Sequence, residues 1–312
     1  MKIGIDMMGG DYAPHVTIEG FKMAYQELPD KAEFVLFGDK EVVGQFSEYD
    51  RTTVITTTEV LDMGDEPTKG FATKKDSSIV KGFEYLSSGR IDVFCSAGNS
   101  GAMLVGAISV IGVIKGVIRP CITVSIPREN GGEIVMLDAG LNPDCKPEIL
   151  MQYGFMGSLY SQYVKHCNEP KVGLLNIGSE EAKGSLLTKA AFGMMKECGK
   201  FNFKGNIEGY DIFDKNCPDV IVCDGFVGNV ILKHTEGLYS LLKRRNLTDE
   251  FVENFNFEGH GGTPILGINK NVVMGHGVST DKAIRTMIVN SWNVELSEIN
   301  KIFINAFENE KS

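Results

Sequence analysis

Short runs of aliphatic and β-branched residues alternate with longer runs of helical period from one end of the chain to the other. The strand-length runs fall at residues 2–7, 34–37, 53–57, 91–95, 122–126, 134–137, 172–176 and 220–223. Between them, apolar residues recur at helical spacing over 16–28, 79–86, 102–114, 147–165, 186–197, 230–243 and a long terminal stretch, 281–307. That period predicts helices with one buried face. Strands that alternate with helices imply parallel strands joined by crossovers, so the expected class is α/β with a mostly parallel sheet. Several strands run straight into small or acidic residues: Asp6 with Gly9 and Gly10, Gly38 with Asp39, Gly98, Asp138 with Gly140, and Asp224 with Gly225. Ligands of open parallel sheets collect at the carboxyl ends of the strands, and these exits are where a crevice is expected. Residues 63–78 and 245–263, polar and rich in Gly, Asn or charge, predict loops that could serve as lids or partner surfaces.

Composition narrows the class of partner. The chain has 312 residues, 43% of them hydrophobic, enough to bury a core as one large α/β unit or two joined halves. A formal net charge of -10 argues against nucleic acid, which needs clustered positive surface. The seven cysteines are odd in number and nowhere paired as CxxC, so neither a disulfide framework nor a zinc knuckle is indicated. Reduced thiols in a cytoplasmic protein are expected, and no secretory leader precedes the first strand. Residues 93–114 carry no formal charge and are long enough to span a bilayer. Ser96, Gly98, Asn99, Ser100 and Gly101 interrupt that stretch, however, and predict a strand, a turn and a buried helix instead.

The chemistry on offer is anion binding. No GxGxxG follows the first strand and no GxxxxGK[ST] occurs, so the two commonest nucleotide cradles are missing. Ser96-Ala97-Gly98-Asn99-Ser100-Gly101 instead joins a predicted strand to a predicted helix. Small residues at a helix N-terminus let an anion approach unpaired N–H groups, and inorganic phosphate suits such a place. The alternative, that Asn99 or Ser100 merely caps the helix, stays open. Arg119, before Pro120 and the next strand, could clamp a phosphate through paired hydrogen bonds or sit exposed against a surface carboxylate. No second histidine stands at ligand spacing from His260 or His276, so no metal is expected.

Taken together, these segments resemble the bacterial acyl carrier protein:phosphate acyltransferases, the PlsX family, over nearly the whole chain. The resemblance is carried by residues 1–11 with Ala13-Pro14, Lys74-Lys75-Asp76-Ser77-Ser78, Ser96 to Gly101, Arg119-Pro120, and Leu137-Asp138-Ala139-Gly140 leading to Asn142 and Asp144-Cys145-Lys146-Pro147-Glu148. It continues through Val172 to Gly178 with Glu180-Glu181 and Lys183-Gly184, Gly205-Asn206-Ile207-Glu208-Gly209, Val222 to Asn229, and Gly261-Gly262 with Pro264 and Leu266-Gly267. The resemblance implies a three-layer α/β/α fold like that of isocitrate and isopropylmalate dehydrogenases and phosphotransacetylases, spanning 1–312 as a single domain. It further implies a homodimer, a long-chain acyl-[acyl carrier protein] donor, inorganic phosphate as acceptor, and acyl phosphate for phospholipid synthesis. A membrane glycerol-3-phosphate acyltransferase would then take the product, and the enzyme would be cytoplasmic with peripheral contact at the membrane.

This chain departs from the family pattern at three places. Tyr210 stands where relatives usually carry arginine, the turn after Asp138 reads Ala139-Gly140-Leu141-Asn142, and residues 238–260 are shorter than the apolar, basic hairpin of relatives. Residues 238–263 are accordingly expected to be a mobile or partner-binding segment, without the full membrane-touching hairpin.

Phosphate is already a nucleophile and a thiolate a good leaving group, so neither a covalent enzyme nucleophile nor a cofactor is required. Positioning and electrostatics should carry the catalysis. Gly98, Asn99, Ser100 and Gly101 are expected on phosphate with Arg119 as clamp. Lys183 is expected on the tetrahedral oxyanion, or as a solvated first-turn lysine, with Asn229 beside the reacting centre. Asp138, Asn142, Asn176, Asn206, Glu208, Asp224 and Gly228 would shape the crevice, the two aspartates serving as caps or loop anchors rather than proton carriers. His260 or His276 could serve the leaving thiol. Lys243, Arg244 and Arg245 form a basic triplet suited to docking an acidic carrier protein beside the crevice, or simply a solvated face. A short-chain phosphotransacetylase using acyl-coenzyme A, or a non-catalytic protein that binds the acyl carrier, are the competing readings.

Overall fold

The computed structural model describes residues 1–256, 259 and 261–308, so His260 and part of 238–263 lie outside the described residues. The chain forms two compact units, Met1–Ile114 with Phe257–Asn300 and Lys115–Asn256 with Lys301–Ser312. In chain order the strands are β1 (Lys2–Asp6), β2 (Glu33–Gly38), β3 (Thr52–Thr56), β4 (Val93–Ser96), β5 (Cys121–Pro127), β6 (Glu133–Leu137), β7 (Lys171–Asn176), β8 (Asn202–Glu208), β9 (Val220–Val222), β10 (Thr263–Leu266) and β11 (Asn271–Met274).

In the first unit the strand order is β3-β2-β1-β4-β11-β10. All neighbours run parallel except the β10–β11 hairpin. Side chains alternate across the pleat, so each strand serves two layers. Ile3, Ile5 and Met7 pack with Phe21 and Ala24 of helix His15–Glu27 and with Ile284, Met287 and Ile288 of helix Asp281–Leu296. Gly20 lets these two helices close, because a Cβ there would lie 2.6 Å from the Asp281 carbonyl oxygen. On the opposite face Phe94 meets Phe83 of helix Ser78–Ser87 edge to face at 5.3 Å.

The second unit repeats the plan with the order β5-β6-β9-β7-β8, antiparallel only at β5–β6. Helix Pro147–Tyr163 covers one face, where Gly157 approaches Val220 and Leu137. Ile134, Met136, Leu175, Ile207 and Ile221 line the other, against Ile231 of helix Gly225–Arg244. Both units are therefore α/β/α sandwiches, the three layers that the family resemblance implies, built on the mostly parallel strands that the alternation predicts.

Several boundaries differ for local reasons. The helix expected at 230–243 begins at Gly225, because Asp224 Oδ1 accepts from the Val227 amide at 2.9 Å and starts it one turn early. The long terminal helix is two, Asp281–Leu296 and Ile299–Glu308, parted at Glu298 with φ 53. Helix Ser100–Gly106 passes into a π-helical turn, Ala107–Ile111. The expected loops contain helix Pro67–Thr73, started by the Glu66 carboxylate with proline in its first turn, and the single turn Glu250–Glu253. The strands β8, β10 and β11 were not in the expected set. Among the described residues no helix is long and apolar enough to cross a membrane.

Candidate active site

In the first unit the exits of β1 and β4 interlock. The buried Asp6 carboxylate accepts from the Met8 amide at 2.9 Å and from Ser96 Oγ at 2.6 Å, and Ser96 Oγ accepts from the Gly98 amide at 2.9 Å. Burial raises the Asp6 pKa above the ordinary carboxylate value, against the opposing pull of Ser78, Ser96, Met8 and Gly9 as donors. A Cβ on Gly9 would fall 2.6 Å from the Gly98 nitrogen, so only glycine permits this approach of the two loops. Neither Asp6 nor Ser96 was among the expected site residues, although Asp6 followed by Gly9-Gly10 was the visible signal.

Asn99 is the N-cap of helix Ser100–Gly106, its Oδ1 accepting from the Ala102 amide at 3.0 Å. Its Nδ2 donates to the carbonyls of Asp62, Met63 and Asp65 at 3.1, 3.3 and 3.1 Å. The side chain thus starts the helix and ties down the preceding loop, which Lys74 also holds through Val60, Asp62 and Asp65. Gly101 packs where a Cβ would meet Pro67 at 2.3 Å. Gly98 and Asn99 are buried, whereas Ser100 is exposed at the first turn, where helix geometry leaves amides without intrahelical acceptors. His276 is exposed, and its Nδ1 accepts from the Val278 amide at 3.4 Å.

In the second unit the fully buried Asp138 organises the turn after β6. Its Oδ1 accepts from the amides of Ile122, Gly140 and Leu141 at 3.0, 3.3 and 3.2 Å. Its Oδ2 accepts from the Asn142 amide at 2.6 Å and from Asn142 Nδ2 at 3.1 Å. Asn142 Nδ2 also donates to the Pro120 carbonyl at 2.8 Å, which fixes the backbone next to Arg119. The start of helix Gly225–Arg244 fits into this turn. The Gly225 amide donates to the Asn142 carbonyl at 2.8 Å, and a Cβ on Gly228 would lie 1.9 Å from the Asp138 carbonyl oxygen. Asn229 lies against Gly140, whose φ of +138 only glycine adopts freely. Arg119-Pro120, Asp138, Asn142, Asp224, Gly228 and Asn229 are thereby brought into one cluster, with Asp138 and Asp224 as loop anchor and helix cap.

Next to it in sheet order stand the exits of β7 and β8. Asn176 Nδ2 donates to Asn206 Oδ1 at 3.1 Å and to the Lys183 carbonyl at 3.2 Å, and Asn206 Nδ2 donates to the Glu180 carbonyl at 3.0 Å. These bonds hold the loop of Lys183, which precedes the Ser185 N-cap and so is not in the first turn of helix Leu186–Glu197. Glu208 caps the short 3-10 helix Gly209–Phe213 in a reciprocal pair with Asp211. Lys243 and Arg244 stand in the last turn of helix Gly225–Arg244, about 20 Å along its axis from Asn229 at 1.5 Å per residue, and Arg245 follows as its C-cap. The basic triplet therefore lies at the far end of that helix from the Asp138 turn, where Lys243 Nζ donates to Tyr239 Oη at 2.8 Å and faces Glu253.

The thiols nearest Asp138 are held protonated. Burial first, and then Asp138 and Asp224, push the Cys145 thiol up to about 11, and Cys121 and Cys223 are raised well above their ordinary value, by burial first and then by neighbouring acidic groups. Such thiols are poor nucleophiles at neutral pH. Among the described residues no group of three or more His, Cys, Asp or Glu side chains is arranged to hold a metal. The sites offer hydrogen-bond donors, lysine and glycine-rich backbone, which suits positioning and charge stabilisation.

A family model described as "Fatty acid synthesis protein" matches residues 1–300. A phosphate acyltransferase of Halothermothrix orenii is 40% identical, over 92% of this chain and 93% of the relative. One from Staphylococcus epidermidis is 38% identical, again over 92% and 93%. Among solved structures, a phosphotransacetylase from Streptococcus pyogenes aligns with a TM-score of 0.63 at 18% identity, covering 95% of this chain and 94% of that one. A 4-hydroxythreonine-4-phosphate dehydrogenase from Klebsiella pneumoniae aligns at 0.56 with 11% identity, covering 94% and 98%; at these identities the likeness is one of fold. By the extent and identity of the sequence matches, the chain belongs to the phosphate acyltransferase (PlsX) family and is an acyltransferase.

Proposed function

We propose that the enzyme transfers a long-chain fatty acyl group from acyl-[acyl carrier protein] to inorganic phosphate, releasing acyl phosphate for phospholipid synthesis. A phosphate oxygen attacks the thioester carbon, the tetrahedral oxyanion collapses with cleavage of the C–S bond, and the carrier leaves as a thiol bearing the proton that hydrogen phosphate gives up. The observation that supports this reading best is the chemistry at the strand exits: donors, glycines and Lys183, with the thiols around Asp138 raised by burial, Cys145 to about 11. Direct attack by phosphate needs that inventory and no more.

The phosphate role is assigned to the exposed Ser100 and the Ser100–Gly101 backbone, since Asn99 is committed to its cap and to three carbonyls and the Gly98 amide to Ser96. Arg119 supplies charge to an anionic group, Lys183 stabilises the oxyanion, and Asn229 stands at the head of its helix as a polar contact. Lys243, Arg244 and Arg245 receive the acidic carrier protein. The enzyme is read as a cytoplasmic homodimer that works beside the membrane and hands its product to a membrane acyltransferase.

The test is turnover. Purified protein is incubated with palmitoyl-[acyl carrier protein], with and without phosphate, and acyl phosphate is trapped with hydroxylamine. Phosphate-dependent hydroxamate is expected. Product from acetyl-coenzyme A alone would make it a short-chain phosphotransacetylase, and tight carrier binding without product would make it a scaffold.

A further inference from the structure

In the second unit β9, β7 and β8 are consecutive neighbours, so their exits form a row about 10 Å wide at the usual strand spacing. Each exit shows solvent a large apolar side chain. Phe226, after β9, is 65% exposed, Ile177, after β7, 79%, and Tyr210, after β8, 77%. Leu186, the first residue of the helix that follows the β7 loop, is 90% exposed, and Val230 continues the row along helix Gly225–Arg244. Single exposed apolar residues need no explanation, but a row of them on adjacent strand exits marks a binding surface. Ile177 is fixed there, its amide donating to Asn176 Oδ1 at 2.9 Å, and Asn176 in turn holds the Lys183 carbonyl.

The charges among these residues decide what fits. Glu180, Glu181, Glu208, Asp211 and Asp224 lie in the same loops, against the exposed Lys183, and Glu181 is paired with Lys196, so acidic groups still outnumber basic ones there. Asp211 first, then Glu208, raises the Tyr210 hydroxyl above the ordinary phenol value, so the ring stays neutral. An acidic protein, an anionic lipid surface or the same face of a second copy would bring carboxylates or phosphates against these carboxylates. A neutral hydrocarbon chain meets no such repulsion and gains from every apolar side chain it covers.

We infer that Ile177, Leu186, Tyr210 and Phe226 form the subsite for the hydrocarbon chain of the acyl donor and set the preference for long over short chains. This rests on the acyl transfer proposed above, with the thioester end of the chain toward the Lys183 loop. Tyr210 adds the apolar surface of its ring to the row.

Two measurements separate this inference from the reaction it rests on. A palmitoyl-pantetheine thioester with a diazirine at the chain terminus is photolysed on the full-length protein, and adducts are mapped by peptide mass. Adducts on the peptides containing Ile177, Leu186, Tyr210 or Phe226 are expected; adducts confined to other peptides overturn the subsite, whether or not the protein turns over. Separately, Ile177→Ser and Phe226→Ser should each lower the ratio of palmitoyl to butyryl kcat/KM about tenfold, as loss of a buried apolar side chain against the alkyl chain requires. An unchanged ratio in variants with wild-type circular dichroism also overturns it. If no thioester of any length yields acyl phosphate, the reaction assignment fails, and the labelling still decides the subsite.

Discussion

Asn176 and Asn206 are joined by an Nδ2 to Oδ1 hydrogen bond of 3.1 Å, and each directs its remaining donor capacity at the backbone of the loop that carries Lys183. The pair therefore acts through that loop. Asn206→Ala removes the bonds to Glu180 and Asn176 together, and it should lower kcat about tenfold or more while leaving the KM for phosphate unchanged. Its effect should vanish in a Lys183→Met background, because a positioning residue has nothing left to position. Single and double variants assayed as a cycle give the answer; multiplicative losses would show that Asn206 acts elsewhere.

Asp138 holds its turn with five donors, all aimed at one carboxylate. Asp138→Asn keeps the shape but turns an amide toward the Asn142 donors, which leaves buried groups facing one another unpaired. A loss of about 2–4 kcal/mol is expected from such a change. Urea unfolding monitored by circular dichroism measures it, and a wild-type midpoint would mean that the turn holds without its anchor.

The α/β class with a mostly parallel sheet was legible because both units obey the two periods that side chains impose. Ile3 and Ile5 fall on one face of β1, with Gly4 on the other, and the helices follow their apolar stripes. The strand exits were legible from small and acidic residues after each strand. The partners of those residues were not. Nothing in Ser96-Ala97-Gly98-Asn99 reveals that Asn99 binds three carbonyls more than thirty residues upstream, or that Ser96 reaches Asp6 ninety residues away. Long-range pairing also created β10 and β11, whose short runs carry little periodicity of their own, and β8, where Gly205 with φ +96 interrupts the alternation. Helix Gly225–Arg244 was partly misread because Gly225 and Gly228 suggest a loop, when their lack of a Cβ is what lets the helix meet the Asp138 turn.

The same absence of a Cβ gives opposite results at two glycines. Gly228→Ala would place a carbon 1.9 Å from the Asp138 carbonyl oxygen, so the helix start must shift and stability and turnover should both fall. Gly193, inside helix Leu186–Glu197, has nothing within 4 Å of the point where a methyl group would sit. Gly193→Ala should therefore stabilise by about 0.5–1 kcal/mol, through the lower entropy of the unfolded chain, with turnover unchanged. Thermal melts and the hydroxamate assay on both variants check the contrast, and a stabilised Gly228→Ala would contradict the packing at the Asp138 turn.

Asp6 makes stability depend on pH in a direction its donors alone would not give. Four donors favour the ionised carboxylate, yet full burial raises its pKa above the usual 3.8. A carboxylate raised in the folded state contributes stability that is complete below the unfolded value and is lost as pH rises through the folded value. Asp6→Asn removes the titration while keeping the side chain's size. The variant is less stable throughout, since its amide faces the Met8 amide or Ser96 Oγ, but its deficit relative to wild type should be larger near about pH 4 than near about pH 8. Urea-unfolding midpoints of both proteins at the two pH values measure that deficit. A deficit that grows with pH would mean that the donors outweigh burial and that the buried carboxylate is held ionised.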